Sequence, residues 1–511
     1  MGTPPNRNPM RARSRFLAHV PRLHKARVQA VKQALKPWSK KKRSTALGPV
    51  LRVPARTRWS PSGRGFLLAL LLFLPAAAGC GGSAEKPVLR ASPLWVGVSV
   101  EDITPDLEKY GTLRPMAYLF TPPVRGVKDP LYARVLVLDN GIERAAWVVL
   151  DTCLIDRFFC DAVHSRLTTG IRRERLFLSA VHSHGGIAHI QEQPAFQFLY
   201  GAKKPELLAD TAEKVAAAVD RAARSLQPAT FSHAAMDLER LNQSRRPFSR
   251  PPLEDRGTDP EMTVLVFSGE AGEPLAVVSN FAAHPTLTPT WQEPYYTSDF
   301  VGVFNDAVER RYGGGLSFPE GGGVLSLFVN GILGDAEPYY PDPVEREIQS
   351  WEKRIEYGTR LAEAAFPIVD AARARSGRAE VVLAAGSFTF PMPEVVPAHP
   401  LIELLVRVFP LITYDVAMTA LRVDDVLVSF FPGEPTTPVG LGAIKNPLKA
   451  ASGLHVVVAA TSSDYLSYVP DRRQYDEGTG TGNYERFICM FGPQTGEIFS
   501  TAARLAARGL Y

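Results

Sequence analysis

Histidine and cysteine are scarce, at ten and four in 511 residues. No two cysteines are spaced C-x-x-C, which excludes a thiolate metal knuckle. The longest apolar run, from Phe66 to Leu74, has nine residues and is too short to span a bilayer comfortably. There is no internal repeat, no low-complexity linker and no Pro/Ser-rich hinge after Lys86. Residues 90–511 therefore read as one large domain.

Acidic residues are absent from positions 1–64, which hold 17 Lys and Arg. Without them the 58 basic residues fall to 41, against 52 Asp and Glu, so the remainder is acidic. No basic run follows Arg64, so no nucleic-acid partner is expected. Residues 1–64 read as a basic, disordered leader. Residues 65–80 read as a signal segment: basic flank, short apolar run, then small residues. Ala77-Ala78-Gly79-Cys80 resembles the lipobox of bacterial lipoproteins. That resemblance implies a lipid anchor on Cys80 and a place on the cell envelope, at its periplasmic or extracellular face. An uncleaved anchor helix and an ordinary secreted protein are the alternatives. With Cys80 lipidated, Cys153, Cys160 and Cys489 remain, which allows at most one disulfide.

Apolar periodicity predicts strands at 94–103, 133–138, 145–150, 175–181, 262–267, 275–281, 324–329, 380–389, 420–423, 426–430 and 455–460. It predicts helices at 154–168, 205–226, 298–312, 351–374 and 497–508, with Ser298 or Asp299 capping the third. Loose alternation with interspersed hairpins points to an α/β fold, a large single domain of mixed β-sheets flanked by helices.

Five of the predicted buried strands end in polar clusters. One ends at His182 and His184, followed by Gly185-Gly186, with His189 close behind. The others end at His284-Pro285-Thr286; at Asn330, Gly334 and Asp335; at Pro432-Gly433-Glu434; and at Asp464, Tyr465 and Tyr468. Ligands of α/β proteins bind beyond the carboxyl ends of strands, so these clusters are expected to share one mouth. Histidines with a glutamate and a tyrosine form a nitrogen–oxygen donor set suited to Zn²⁺. Such a metal polarises a carbonyl and acidifies bound water, the equipment for cleaving an amide or ester.

Several motifs also resemble those of the neutral (non-lysosomal) ceramidase family. Ser179-Ala180-Val181-His182-Ser183-His184-Gly185-Gly186 is similar to its Ser-Ala-Thr-His-Thr-His-Ser-Gly. Asn280-Phe281-Ala282-Ala283-His284-Pro285-Thr286 resembles its Asn-Phe-Ala-x-His-Pro-Thr, and Ser298-Asp299 with Gly302 its Ser-Asp-x-x-Gly. Phe431-Pro432-Gly433-Glu434-Pro435-Thr436 resembles its Phe-Pro-Gly-Glu-x-Thr, and Tyr465 to Glu485 its tyrosine-rich tail. The order is the family's, from about Val96 to the end. The family's C-terminal immunoglobulin-like domain has no counterpart in these residues.

The resemblance implies Zn²⁺ held by His182, His284, Glu434 and Tyr468. It places His184 beside the metal on substrate, and Tyr484 near the scissile amide, after an insert at 478–482. It implies a ceramide-like lipid or another N-acyl amide as substrate. One position departs: the family's Gly-Asp-Val-Ser-Pro reads Gly334-Asp335-Ala336-Glu337-Pro338 here, with Glu337 where the proposed catalytic serine stands. Either zinc-bound water attacks with Glu337 as general base, or the amidase activity is lost. Within residues 391–419 the run from Leu401 to Ile412 is more apolar than a surface helix normally is, and reads either as a buried core helix or as a lipid-facing lip. The leading reading is a zinc-dependent amidohydrolase. The alternatives are a zinc esterase or other hydrolase with a polar substrate, and an inactive, lipid-anchored binding protein.

Overall fold

Strands that are apolar on both faces must be covered on both faces. The computed structural model meets this by packing three sheets together with helices. It describes residues 87–511 except 88, 117–119, 246–256, 314–322, 343–344, 346–347 and 477–483. The basic leader, the signal segment with Cys80 and the insert at 478–482 lie outside the described residues.

The first sheet runs Leu176–Ala180, Arg144–Leu150, Tyr132–Asp139, Trp95–Asp102 and Gln227–Pro228 in spatial order. The second runs Leu325–Asn330, Pro274–Phe281, Glu261–Ser268 and Thr230–Asp237. The third runs Ala91–Pro93, Glu380–Pro391, Asp415–Val423, Val426–Phe430 and His455–Ala459. Most neighbours are antiparallel, but each sheet contains one parallel pair. These are Arg144–Leu150 with Leu176–Ala180, Pro274–Phe281 with Leu325–Asn330, and Val426–Phe430 with His455–Ala459. The fold is thus α/β with mixed sheets flanked by helices, and all three parallel pairs end in the polar clusters seen in the sequence.

The sheets meet over aromatic side chains. Phe177 of the first stacks on Phe430 of the third at 4.3 Å, and Trp147 meets Phe430 edge-on at 5.1 Å. All three rings are buried. Truncating such a ring to Ala costs about 3–5 kcal/mol. The helix Pro205–Arg224 covers the first sheet, so closely that a Cβ on Gly97 would strike the Ala222 carbonyl. Phe300–Arg311 and Trp351–Arg373 pack on the second sheet, and Thr495–Ala507 on the third.

Several boundaries differ from the sequence reading, and the strands Thr230–Asp237 and 415–419 were not expected. The helix expected over 154–168 is Arg157–His164, because the Asp156 carboxylate accepts the Phe159 amide and starts the helix there. Asp299 rather than Ser298 caps Phe300–Arg311, from a left-handed backbone with φ 57°. The segment between the paired residues Pro391 and Asp415 is an excursion carrying the helix Pro400–Val408. Only Ile402 of that helix is buried, so it is not a core helix.

Candidate metal centre

The ends of the three parallel pairs are stitched together by side chains and backbone. Asn330 donates through Nδ2 to the carbonyls of Val181 at 3.1 Å and Ala283 at 2.9 Å. Those residues immediately precede His182 and His284. Asn280 bonds the Val458 carbonyl at 3.1 Å, tying the second sheet to the third. Thr461 and Ala180 exchange backbone and side-chain bonds, tying the third to the first. Close backbone passage here demands glycine at two points. A Cβ on Gly186 would lie 2.3 Å from Thr152 Cα, and one on Gly334 2.6 Å from the Glu434 carbonyl.

Four side chains converge at this junction. His182 Nε2 lies 3.4 Å from Glu434 Oε1. His284 Nε2 lies 3.0 Å from Glu434 Oε2 and 3.1 Å from the Tyr468 hydroxyl. Glu434 and Tyr468 face each other because Glu434–Pro435 and Tyr468–Val469 pair as short parallel strands. All four are buried. His182 is held at φ 71°, a left-handed conformation that costs an L-residue energy and recurs at functional sites.

The outer nitrogens are committed. His182 Nδ1 faces the Cys153 carbonyl at 2.8 Å, and His284 Nδ1 faces the Ala336 carbonyl at 3.0 Å. Carbonyls on Nδ1 leave each Nε2 as the nitrogen that faces Glu434 and could take a cation, the usual outer support of metal-bound imidazoles. Tyr465 donates its hydroxyl to Glu434 Oε1. Burial pushes the His182 imidazole down to about 4, so it is neutral. Burial alone would raise the Glu434 carboxyl, but His182, His284 and Tyr465 outweigh it and hold the group well below the usual carboxylate range. Burial pushes the Tyr468 phenol well above its ordinary value. Two imidazoles, one carboxylate and one phenol fit a borderline divalent cation such as Zn²⁺. His182, His284 and Glu434 each offer a donor atom within 4.8 Å of the others.

The remaining expected residues fall around this cage. His184 lies beside it, its ring 5.2 Å from that of His182. Glu337 is one residue removed. Its carboxylate takes Arg245 Nε at 2.8 Å, while Arg245 Nη1 reaches the Tyr468 hydroxyl at 3.3 Å. Tyr484 stands at the exposed side, edge-on to Tyr468 at 5.4 Å and under the Arg245 guanidinium at 5.1 Å. His189 does not join. It is a strut, with Nε2 accepting the Arg114 amide at 3.0 Å and Nδ1 on the Ala202 carbonyl at 2.8 Å. Asp464 serves the fold too, accepting the Arg157 amide and the Tyr414 hydroxyl.

Sequence reading missed Arg245 as a site residue and the Tyr465 bond to Glu434. Arg245 is delivered by a two-strand ladder, Asn242–Ser244 against Ala336–Pro338, that sets Gln243 opposite Glu337. Nothing in its own neighbourhood of sequence signals this. Tyr465 sat within a cluster that the sequence did single out, but its partner lies across the parallel pairing.

An apolar rim borders the mouth. Phe196 of the helix Pro194–Tyr200 packs on Tyr465 at 5.8 Å. On the same helix Phe198 stacks on Phe409 at 4.4 Å and meets Phe120 at 5.6 Å. Leu401, Leu404 and Val408 of the adjacent helix are exposed, at 47%, 56% and 57%. Gln193 clamps the excursion by bonding both the amide and the carbonyl of Ile412.

The family model described as neutral/alkaline non-lysosomal ceramidase, N-terminal, matches residues 95–351. Neutral ceramidase A of Dictyostelium discoideum is 24% identical over 271 residues, which is 50% of this chain and 37% of that protein. The chain thus spans little more than a third of that relative. Among solved structures, the neutral ceramidase of Pseudomonas aeruginosa superposes with a TM-score of 0.68 at 19% identity, over 82% of this chain and 74% of that one. A ceramidase complexed with C2 gives a TM-score of 0.65 at 18% identity, over 82% and 75%. At these identities the likeness to the solved structures is one of fold.

Proposed function

Because the chain belongs to the neutral/alkaline non-lysosomal ceramidase family, we propose that it hydrolyses the amide bond of a ceramide-like N-acyl lipid with Zn²⁺ held by His182, His284, Glu434 and Tyr468. The observation that carries this reading is the convergence of those donors, with both outer imidazole nitrogens already on carbonyls. A zinc ion bound there would supply a Lewis acid for the amide carbonyl.

The protein's own groups divide the rest of the work. His184 and Tyr484 orient the amide from either side of the mouth. Glu337 takes the proton of the attacking water, and Arg245 holds that carboxylate in place from the same guanidinium that touches Tyr468. The water oxygen bonds to the acyl carbon, the C–N bond breaks, and the proton leaves with the amine. A positioned general base contributes about 10²–10⁴-fold. Glu337→Gln is therefore expected to lower kcat by that amount with zinc content unchanged, and unaltered turnover would remove Glu337 from this role.

The rim supports a lipid substrate. Apolar side chains run from exposed Leu404 and Val408 through Phe409 and Phe198 to Phe196 beside Tyr465. Such a face suits the interface of a bilayer, and an anchor on Cys80 would hold the enzyme at the cell envelope. The Glu337–Arg245 ion pair favours a second reading, an esterase or other hydrolase for a more polar substrate. Purified protein should contain one zinc per chain and cleave a fluorogenic N-acyl sphingosine. Zinc with O-acyl turnover alone selects the esterase, and absence of stoichiometric zinc sinks both.

A further inference from the structure

Cys153 follows the strand Arg144–Leu150 by three residues, and its backbone and side chain both approach His182. The carbonyl lies 2.8 Å from His182 Nδ1, and Sγ lies 3.8 Å from that same nitrogen. The thiol is buried, makes no disulfide, and takes no part in the hydrolysis derived above. One donor atom each from Cys153, His182 and His184 lie within 4.8 Å of one another. A tetrahedral ion with bonds of about 2.0–2.3 Å spaces its donors about 3.3–3.8 Å apart, so small side-chain rotations close the set around an ion.

This donor set differs in kind from that of the cage. Thiolate with two imidazoles selects soft cations, such as Cu⁺ and Cd²⁺, whereas two imidazoles with carboxylate and phenol suit a harder ion. The two sets share His182. The thiol approaches Nδ1, so a soft ion would take that nitrogen from the Cys153 carbonyl, whereas the cage uses Nε2, 3.4 Å from Glu434 Oε1.

We propose that Cys153, His182 and His184 form a second site for a soft, thiophilic cation, mutually exclusive with the metal cage because a neutral imidazole has one lone pair, and an ion on His182 Nδ1 puts the proton on the Nε2 that the cage needs. A soft ion seated there leaves the His182 proton on Nε2, turned toward Glu434, and draws in His184, which the proposed hydrolysis uses to orient substrate. It therefore inhibits by displacing the resident metal rather than by blocking the mouth alone.

Cadmium provides the test, because a Cd²⁺–thiolate bond gives an ultraviolet charge-transfer band that nitrogen and oxygen ligands do not. Titrating the full-length, zinc-loaded protein with Cd²⁺ should raise one thiolate band per chain, with zinc released in step. Cys153→Ser should lose the band and keep its zinc, and His184→Ala should weaken the band at least tenfold in Cd²⁺ concentration. Glu434→Gln, which cripples the cage alone, should develop the band at lower Cd²⁺ than the unaltered protein. The proposal is overturned by an absent band, by a band that survives Cys153→Ser, or by a full band with all the zinc retained. If the cage held no zinc in the first place, the band would still form but no zinc would appear, so the two readings fail separately.

Discussion

The cage and the rim lie side by side yet are built in opposite ways. Every cage side chain is buried and tied to something rigid: His182 and His284 to backbone carbonyls, Glu434 to Tyr465, and Tyr468 to Arg245. The rim helix Pro400–Val408 buries one residue and displays three large apolar ones, with a single glutamine clamping the end of its excursion. The cage works by position, where a shift of an ångström matters. The rim works by area, where no single contact matters much and the sum does. Substitutions should therefore be catastrophic in one and graded in the other.

On the proposed zinc reading, the sharpest break is removal of the metal. Chelation should abolish turnover and lower unfolding stability, by about 4 kcal/mol where free zinc stood near a thousand times its Kd. Thermal melts with and without added zinc check this. Glu434→Gln removes the one charged donor that faces both imidazoles. Zinc affinity measured by competition with a chromophoric chelator should fall by at least a hundredfold.

Next comes Asn330, which touches no ligand directly. Asn330→Ala strands two buried carbonyls at about 1–3 kcal/mol each and frees the backbones before His182 and His284. Both stability and zinc affinity should drop, whereas a purely structural role would move stability alone. Tyr465→Phe removes one bond to Glu434 and should weaken zinc binding about 10–100-fold with the fold intact.

The smallest effect belongs to the rim. Leu404→Ser with Val408→Ser should reduce turnover of substrate in lipid vesicles about tenfold, as the loss of one or two buried aliphatic side chains implies. Turnover of a soluble short-chain amide should not change. An equal loss on both substrates would mean that the helix shapes the site rather than meeting the lipid.

Strand positions and the polar clusters at their ends were legible in sequence because period and punctuation are local properties. Their convergence followed from a general rule about strand ends. What sequence could not reveal is the division into three sheets, since the opening segment splits: Ala91–Pro93 joins the third sheet and Trp95–Asp102 the first. Arg245 escaped for the same reason, because a ladder to Ala336–Pro338 carries it in. His189 misled in the other direction: proximity in sequence to His182 and His184 reads as a cluster, but the chain turns away and uses its ring as a strut. The apolar run at 400–412 has the composition of a core helix, and only the tertiary structure shows that most of it faces out.

The parallel pairs have one more consequence, for the order of events in the life of the chain. His284 contacts Glu434 across 150 residues and Tyr468 across 184, and no single sheet holds a complete donor set. Partly folded chains with one sheet undocked are expected to have no high-affinity place for the ion, so metal uptake becomes a signature of completed assembly. Freshly refolded protein that has regained its secondary structure but not its zinc would then be a chain whose sheets have formed without yet meeting.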